Sequence, residues 1–190
     1  MKSESELQKV LLGVKKGTIT VEDAVEQIKK SGFADLGFVR IDHGRQSRCG
    51  FPEVVFAEGK ESEQVAVIAE KIVANDGPLL ITRLDESKFR YLKKKLPKLV
   101  YNKQARTGSL FKGIAKKRAG IMIVTAGTSD IPVAEEAAVT CEALGFAPDR
   151  LYDAGVAGIH RLLAQSDKLG KAKVIIVAAG MEGALPSVIG

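Results

Sequence analysis

Tryptophan is absent from the 190 residues and aromatic side chains make up only 5%, so the chain offers no basic–aromatic platform for nucleic acid. Cysteine is nearly absent too. Cys49 and Cys141 form no spaced disulfide or metal-binding pattern, which favours a reducing, cytoplasmic setting. No apolar run reaches the length of a membrane span. The first residues, MKSESELQKV, lack the basic start and long apolar stretch of a secretory signal. We therefore expect neither a membrane nor a nucleic-acid partner. Also missing are a G-x-G-x-x-G fingerprint after a strand and the G-x-x-x-x-G-K-[ST] phosphate loop, which makes ordinary dinucleotide dehydrogenases and P-loop enzymes poor fits.

What is present supports a globular protein. Hydrophobic residues at 45% are enough to build a core without disulfides or metals. The net charge of +6 sits partly in two clusters, Lys93, Lys94 and Lys95, and Lys116, Lys117 and Arg118. Solvated element ends account for such clusters better than a nucleic-acid surface, and a basic protein that binds anionic nucleotides shows the same balance.

The pattern of apolar residues divides the chain. Leu7, Val10, Leu11 and Val14 fall on one helical face, with Ser3 and Glu6 as a capping box and Gly17 as the stop. Thr20 and Asp23 open a second helix with the stripe Val21, Ala24, Val25 and Ile28, followed by Gly32. Strands are expected at 36–41, 53–57, 79–84 and 98–102, and helices at 62–75 and 86–95. Their alternation argues for a parallel sheet. We take 1–113 as a small α+β amino-terminal domain that begins with a helical hairpin. The region 119–190 is more regular. The apolar run at 120–126 reads as a strand buried on both faces, with a shorter strand at 149–153 and a third apolar strand at 173–178. Helices follow at 131–144, with Pro132 near its start, at 158–169, and after the last strand. The expected fold is a three-layer α/β/α, Rossmann- or flavodoxin-like parallel sheet.

Three loops carry the chemistry: 126–130 (AGTSD), 153–158 (DAGVAG) and 179–186 (AGMEGALP). Each follows a strand and precedes a helix, so all three lie at the carboxyl edge of a doubly wound sheet. Helix starts there offer free N–H groups and partial positive charge to a phosphate. Gly127, Gly155, Gly158 and Gly180 let backbone approach a ligand. Thr128 and Ser129 add hydroxyl donors, and Asp130 can accept from a ribose hydroxyl. Val156, Ala157, Met181 and Ala184 complete the expected nucleotide-binding set. Taken singly, Ser129 or Asp130 reads as an N-cap and Gly155 or Gly158 as a turn residue; three such loops in one short stretch read as a site. A fourth stretch, DHGRQSRCGFPE at 42–53, gathers Asp42, His43, Arg45, Arg48 and Glu53. It reads equally as a grip on phosphate or carboxylate, with Arg45 and Arg48 as forked donors, and as a solvated connection. His160 follows a glycine loop and is by default a structural or exposed histidine.

The segments VTAGTSDIPVAEEAAVTCEALG, DAGVAGIHRLL and VIIVAAGMEGALPSVIG resemble the fold of aminoimidazole ribonucleotide carboxylase and carboxyaminoimidazole ribonucleotide mutase, the PurE-like fold. With IDHGRQSRCGFPEVVFAEGK the resemblance narrows to the LarB family, the pyridinium biscarboxylic acid mononucleotide synthases of nickel-pincer cofactor synthesis. It covers nearly the whole chain. The resemblance implies carboxylation of the pyridinium ring of nicotinic acid adenine dinucleotide and hydrolysis of its phosphoanhydride with release of AMP. It further implies carbon dioxide or bicarbonate as co-substrate, associated magnesium, and a homo-oligomer. Asp42, Arg45, Arg48 and Glu182 are the catalytic candidates, with Asp42 or Glu182 binding magnesium or moving a proton and the arginines neutralising phosphate or carboxylate.

Two departures qualify it. The purine-pathway mutases carry their histidine in an S-A-H-R motif after the second strand, whereas His160 comes several residues late, so purine-pathway carboxylase or mutase is the alternative. The family chain also continues past the third glycine loop and holds a nucleophilic cysteine there, a place that neither Cys49 nor Cys141 occupies. On this ground we expect a chain truncated at its carboxyl end, and a non-catalytic nucleotide-binding fragment is a further alternative.

Overall fold

The computed structural model describes every residue except 1–3, 31–33, 36, 43–44, 46–48, 76 and 112–116. The expected helical hairpin is present as α1 (Glu4–Lys15) and α2 (Val21–Lys30). Gly17 reverses the chain at φ 71°, and the Asp23 N–H donates to Thr20 Oγ1 at 3.1 Å to start α2. Ser3 and Gly32, offered as end signals, lie outside the described residues. Only part of the apolar stripe is buried. Val10 and Ala24 are inside, but Leu11, Val21 and Val25 are exposed, because two helices packed on each other leave their outer flanks uncovered.

The middle region departs from the expected parallel sheet. A small antiparallel pair, β1 (Ala34–Asp35) and β2 (Arg40–Ile41), replaces the single strand expected at 36–41. Gly37 has φ 81° and breaks that run. Then come β3 (Val54–Phe56), α3 (Ser62–Ala74), β4 (Leu79–Thr82), α4 (Glu86–Lys95), β5 (Val100–Asn102) and β6 (Thr107–Leu110). The sheet order is β3-β4-β6-β5. Only β3 and β4 are parallel; β6 runs antiparallel to both β4 and β5. The turn at 103–106 makes β5 and β6 a hairpin, and no crossover helix forms there. Val65, Ile68, Ala69 and Ile72 of α3 and Leu92 of α4 pack on Leu79, Ile81 and Leu99 as the first core.

The last region is the expected α/β/α unit. Its elements are β7 (Ile121–Thr125), α5 (Ile131–Ala143), β8 (Asp149–Leu151), α6 (Ile159–Leu163), α7 (Ser166–Leu169), β9 (Val174–Ala178) and α8 (Ala184–Ile189). All its strands are parallel, in the order β8-β7-β9. Ile123 faces Ala134 and Ala138 of α5. Met122 and Val124 face Leu162 of α6 and Leu185 of α8. Burial on both faces explains why β7 is apolar from Ile121 to Val124. The single helix expected at 158–169 is two short ones, separated at 164–165.

Helix α5 lies between the two sheets. One side meets Ile123; the other places Val139 and Ala143 against Leu80, Ala105 and Phe111. Leu80 meets Val139 while Arg83, further along β4, meets Glu136, earlier on α5. So β4 runs antiparallel to α5, as β7 does, and the carboxyl ends of β3, β4, β7, β8 and β9 all open on one side of the molecule. No helix among the described residues is long and apolar enough to cross a membrane.

Candidate functional site

The three glycine loops converge above the central strand β7. Since β8 and β9 lie on opposite sides of it, the chain direction around the sheet reverses there, and that is where an open α/β sheet leaves a crevice. The crevice has a volume of about 240 Å³ and is lined from all three loops: Ala126, Gly127, Ser129 and Asp130; Gly155, Val156 and Ala157; and Ala179, Gly180, Met181, Glu182, Ala184 and Leu185.

Local physics explains the shape. The backbone turns through a short 3₁₀ segment, Thr128–Asp130, directly into α5. The Asp130 carboxylate does not cap that helix. Its Oδ2 accepts the Gly127 N–H at 2.9 Å and closes the first loop on itself. The second loop is tied down by the fully buried Thr125: its Oγ1 accepts from the Asp153 N–H at 3.0 Å and its carbonyl from the Ala154 N–H at 2.9 Å. First and second loops touch so closely that a Cβ on Gly155 would stand 2.7 Å from the Ala126 carbonyl oxygen. Gly155 is thus needed for contact and not for an unusual φ. Asp153 and Met181 hold left-handed backbones at φ 57° and 51°, a strained conformation that clusters at ligand sites.

Behind the second loop, Glu135 is buried and holds β8 to α5. Arg150 Nε donates to it at 2.9 Å, the Tyr152 hydroxyl also donates to it, and Arg150 reaches Glu142 at 2.9 Å. Burial pushes the Glu135 pKa up, but the hydrogen bonds from Arg150 and Tyr152 and the Arg150 charge outweigh it, so the carboxyl titrates below its ordinary value. Burial and the bond to Glu135 push the Tyr152 hydroxyl up to about 12. Arg161 pairs with Asp153 at the loop's outer side. None of Glu135, Arg150 and Tyr152 was singled out from sequence; the alternation of β8 residues facing α5 was the available signal.

Of the anticipated nucleotide-binding residues, Gly127, Ser129, Asp130, Gly155, Val156, Ala157, Gly180, Met181 and Ala184 line the crevice. Thr128 sits in the same turn but outside the lining, and Gly158 packs against Arg161. Ala126, Ala179 and Leu185, which belong to the same loops but were not named singly, also line the crevice. Glu182 lines it and is exposed. Asp42 and Arg45 do not line it. They lie near Glu53 at the amino end of β3, with Arg45 stacked 4.9 Å above the Phe51 ring. Arg48 and His43 lie outside the described residues. Burial raises the Glu53 pKa; the Arg45 charge opposes this, the Asp42 charge adds to it and a backbone hydrogen bond from Asp42 opposes it; Glu53 Oε2 is buried without a hydrogen bond. His160 is exposed and not part of the lining. Cys141 is buried on α5, where desolvation raises its thiol pKa and makes it a poor nucleophile.

Among the described residues, no three His, Cys, Asp or Glu side chains gather as a metal cage. Magnesium does not need one: it keeps waters and phosphate oxygens and takes one or two protein carboxylates. Asp130 and Glu182, both lining the crevice, suit that role.

A family model described as the LarB/PurE-like N-terminal domain matches residues 33–112. The chain is also 39% identical over 193 aligned residues to an uncharacterized protein of Methanocaldococcus jannaschii, an alignment that covers 96% of this chain and 75% of that protein.

Proposed function

The chain belongs to the LarB/PurE-like family, and we propose that it acts on nicotinic acid adenine dinucleotide, carboxylating the pyridinium ring and hydrolysing the phosphoanhydride in nickel-pincer cofactor synthesis. The observation that carries this reading is the convergence of three glycine loops on one crevice at the sheet's switch point. Overall, a carbon–carbon bond forms between the ring and carbon dioxide or bicarbonate-derived carbon, and a ring proton is lost. Water splits the P–O–P link and AMP leaves.

In this reading the crevice holds the pyridine mononucleotide half. The loop N–H groups and the Ser129 and Thr128 hydroxyls receive its phosphate. Asp130, its Oδ2 already held by Gly127, presents its remaining oxygen to a ribose hydroxyl or to magnesium. Glu182 is the acidic side chain with freedom to accept the ring proton. Magnesium, when bound, supplies positive charge to the phosphate oxygens. Leu185 and Val156 give the ring an apolar wall and restrict water. Copies of the chain assemble as a homo-oligomer.

The test is direct. The full-length protein is incubated with nicotinic acid adenine dinucleotide, bicarbonate and magnesium, and products are followed by mass spectrometry. AMP and a carboxylated mononucleotide are expected, and absence of both together with absence of dinucleotide binding by calorimetry would overturn the reading.

A further inference from the structure

At about 240 Å³ the crevice falls below the roughly 300–1,000 Å³ of sites that enclose a whole drug-sized ligand. It fits one half of a dinucleotide, so the other half must leave across the rim. One direction is chemically prepared. Glu136 lies six positions after Asp130 on α5, roughly 9 Å along the helix axis at 1.5 Å per residue. Its carboxylate is 2.8 Å from Arg83 Nε, and Arg106 lies close enough to act on it by charge.

Both arginines stand at the carboxyl-end rim of the first sheet. Both have left-handed backbones, φ 53° and 50°, which side chains adopt only under constraint. The constraint is visible: the Leu84 N–H donates to the Arg106 carbonyl at 2.7 Å, locking the end of β4 to the β5–β6 turn. The exposed Arg106 makes no ion pair among the described residues. Glu58, the other carboxylate near Glu136, is exposed. Val133 lies one helical turn before Glu136 on the same face and is 51% exposed, an apolar ledge between the arginines and the crevice.

We propose that Arg83, Arg106 and the Val133 ledge form a second sub-site that receives the phosphate of the departing adenylate half. The inference rests on the dinucleotide reading of the crevice. In the step it serves, water oxygen bonds to the phosphorus of the pyridine half and the bridging P–O bond breaks. Its electron pair stays on the adenylate phosphate, and the water proton passes to solvent. Forked guanidinium groups match that growing charge.

Calorimetry on the 190-residue chain tests it, with nicotinic acid adenine dinucleotide and nicotinic acid mononucleotide as probes. Arg106→Ala should raise Kd for the dinucleotide about tenfold and leave the mononucleotide within about twofold, with an unchanged melting temperature. Arg106→Lys, which keeps charge but loses the fork, should fall between. Ser129→Ala should weaken both ligands. Equal effects of Arg106→Ala on both probes, or none on either, would overturn the sub-site while the crevice reading stands. Failure of the unaltered chain to bind either probe overturns both.

Discussion

The two sheets of this molecule are built to different degrees of closure. All four residues of β4 in the first sheet are buried, whereas β9 in the second has none buried and one exposed. The first sheet has helices on one face and α5 on the other, and its loops contribute nothing to the lining of the crevice. The second contributes every lining residue. The contrast shows a division of labour: the mixed sheet backs α5, and the parallel sheet turns its loop ends to the crevice. Helix α5 expresses the division in two adjacent residues. Glu135 turns to Arg150 and Tyr152 of the second sheet, Glu136 to Arg83 of the first.

The strongest test of this contrast is in the cores. Ile81→Ala, at a fully buried site, should cost about 2–5 kcal/mol. Val177→Ala in the half-open β9 should cost less than half of that. Urea unfolding of the two variants measures it, and equal losses would break the comparison. Next in size, Glu135→Gln should destabilise by about 3 kcal/mol at neutral pH, since it leaves a part-buried arginine short of its partner. The pH dependence of the adjacent glutamates should be opposite. The Glu135 pKa lies below its ordinary value of 4.5, so its contribution is present above that value and lost as pH falls through the folded pKa. Burial outweighs Arg83 and raises the Glu136 pKa. Its contribution is present below 4.5 and lost as pH rises through the folded pKa. Melting curves of Glu135→Gln and Glu136→Gln against pH should therefore diverge from the parent in opposite directions; parallel profiles would contradict the assignment.

A smaller effect on stability but a selective one on binding is expected from Gly155→Ala. The added methyl meets the Ala126 carbonyl at 2.7 Å, so the loops must part. Nucleotide affinity should fall about tenfold for a stability loss of about 1–3 kcal/mol. Gly59→Ala in the first region has φ 73° and open space around it; it should cost about 1 kcal/mol and leave affinity alone. The smallest effect belongs to the lysines ending α4. Lys93 reaches the Leu99 carbonyl at 2.7 Å and Lys95 approaches Glu70 at 3.9 Å. Lys94→Ala should change stability by less than about 0.5 kcal/mol, and titration with duplex DNA should show no lysine-dependent binding.

The amino-acid sequence by itself determined the helical hairpin, helices α3, α4 and α5, the apolar strands β7 and β9, and the identity of the loops that form the crevice. These are short-range properties: helical spacing, continuous apolar runs for strands, and glycines between a strand and a helix. Tertiary structure decided the rest. Strand β6, TGSL, has no apolar alternation to announce it, and its antiparallel pairing is imposed by β4 and β5. Gly108 is there because a Cβ would stand 2.7 Å from Leu84, a neighbour far away in sequence. The exclusion of Asp42 and Arg45 from the crevice, the buried grip of Arg150 and Tyr152 on Glu135, and the approach of Arg83 and Arg106 to Glu136 all depend on which elements pack together. Pairing across long loops is a property of the whole folded chain, so no local spacing of residue types encodes it.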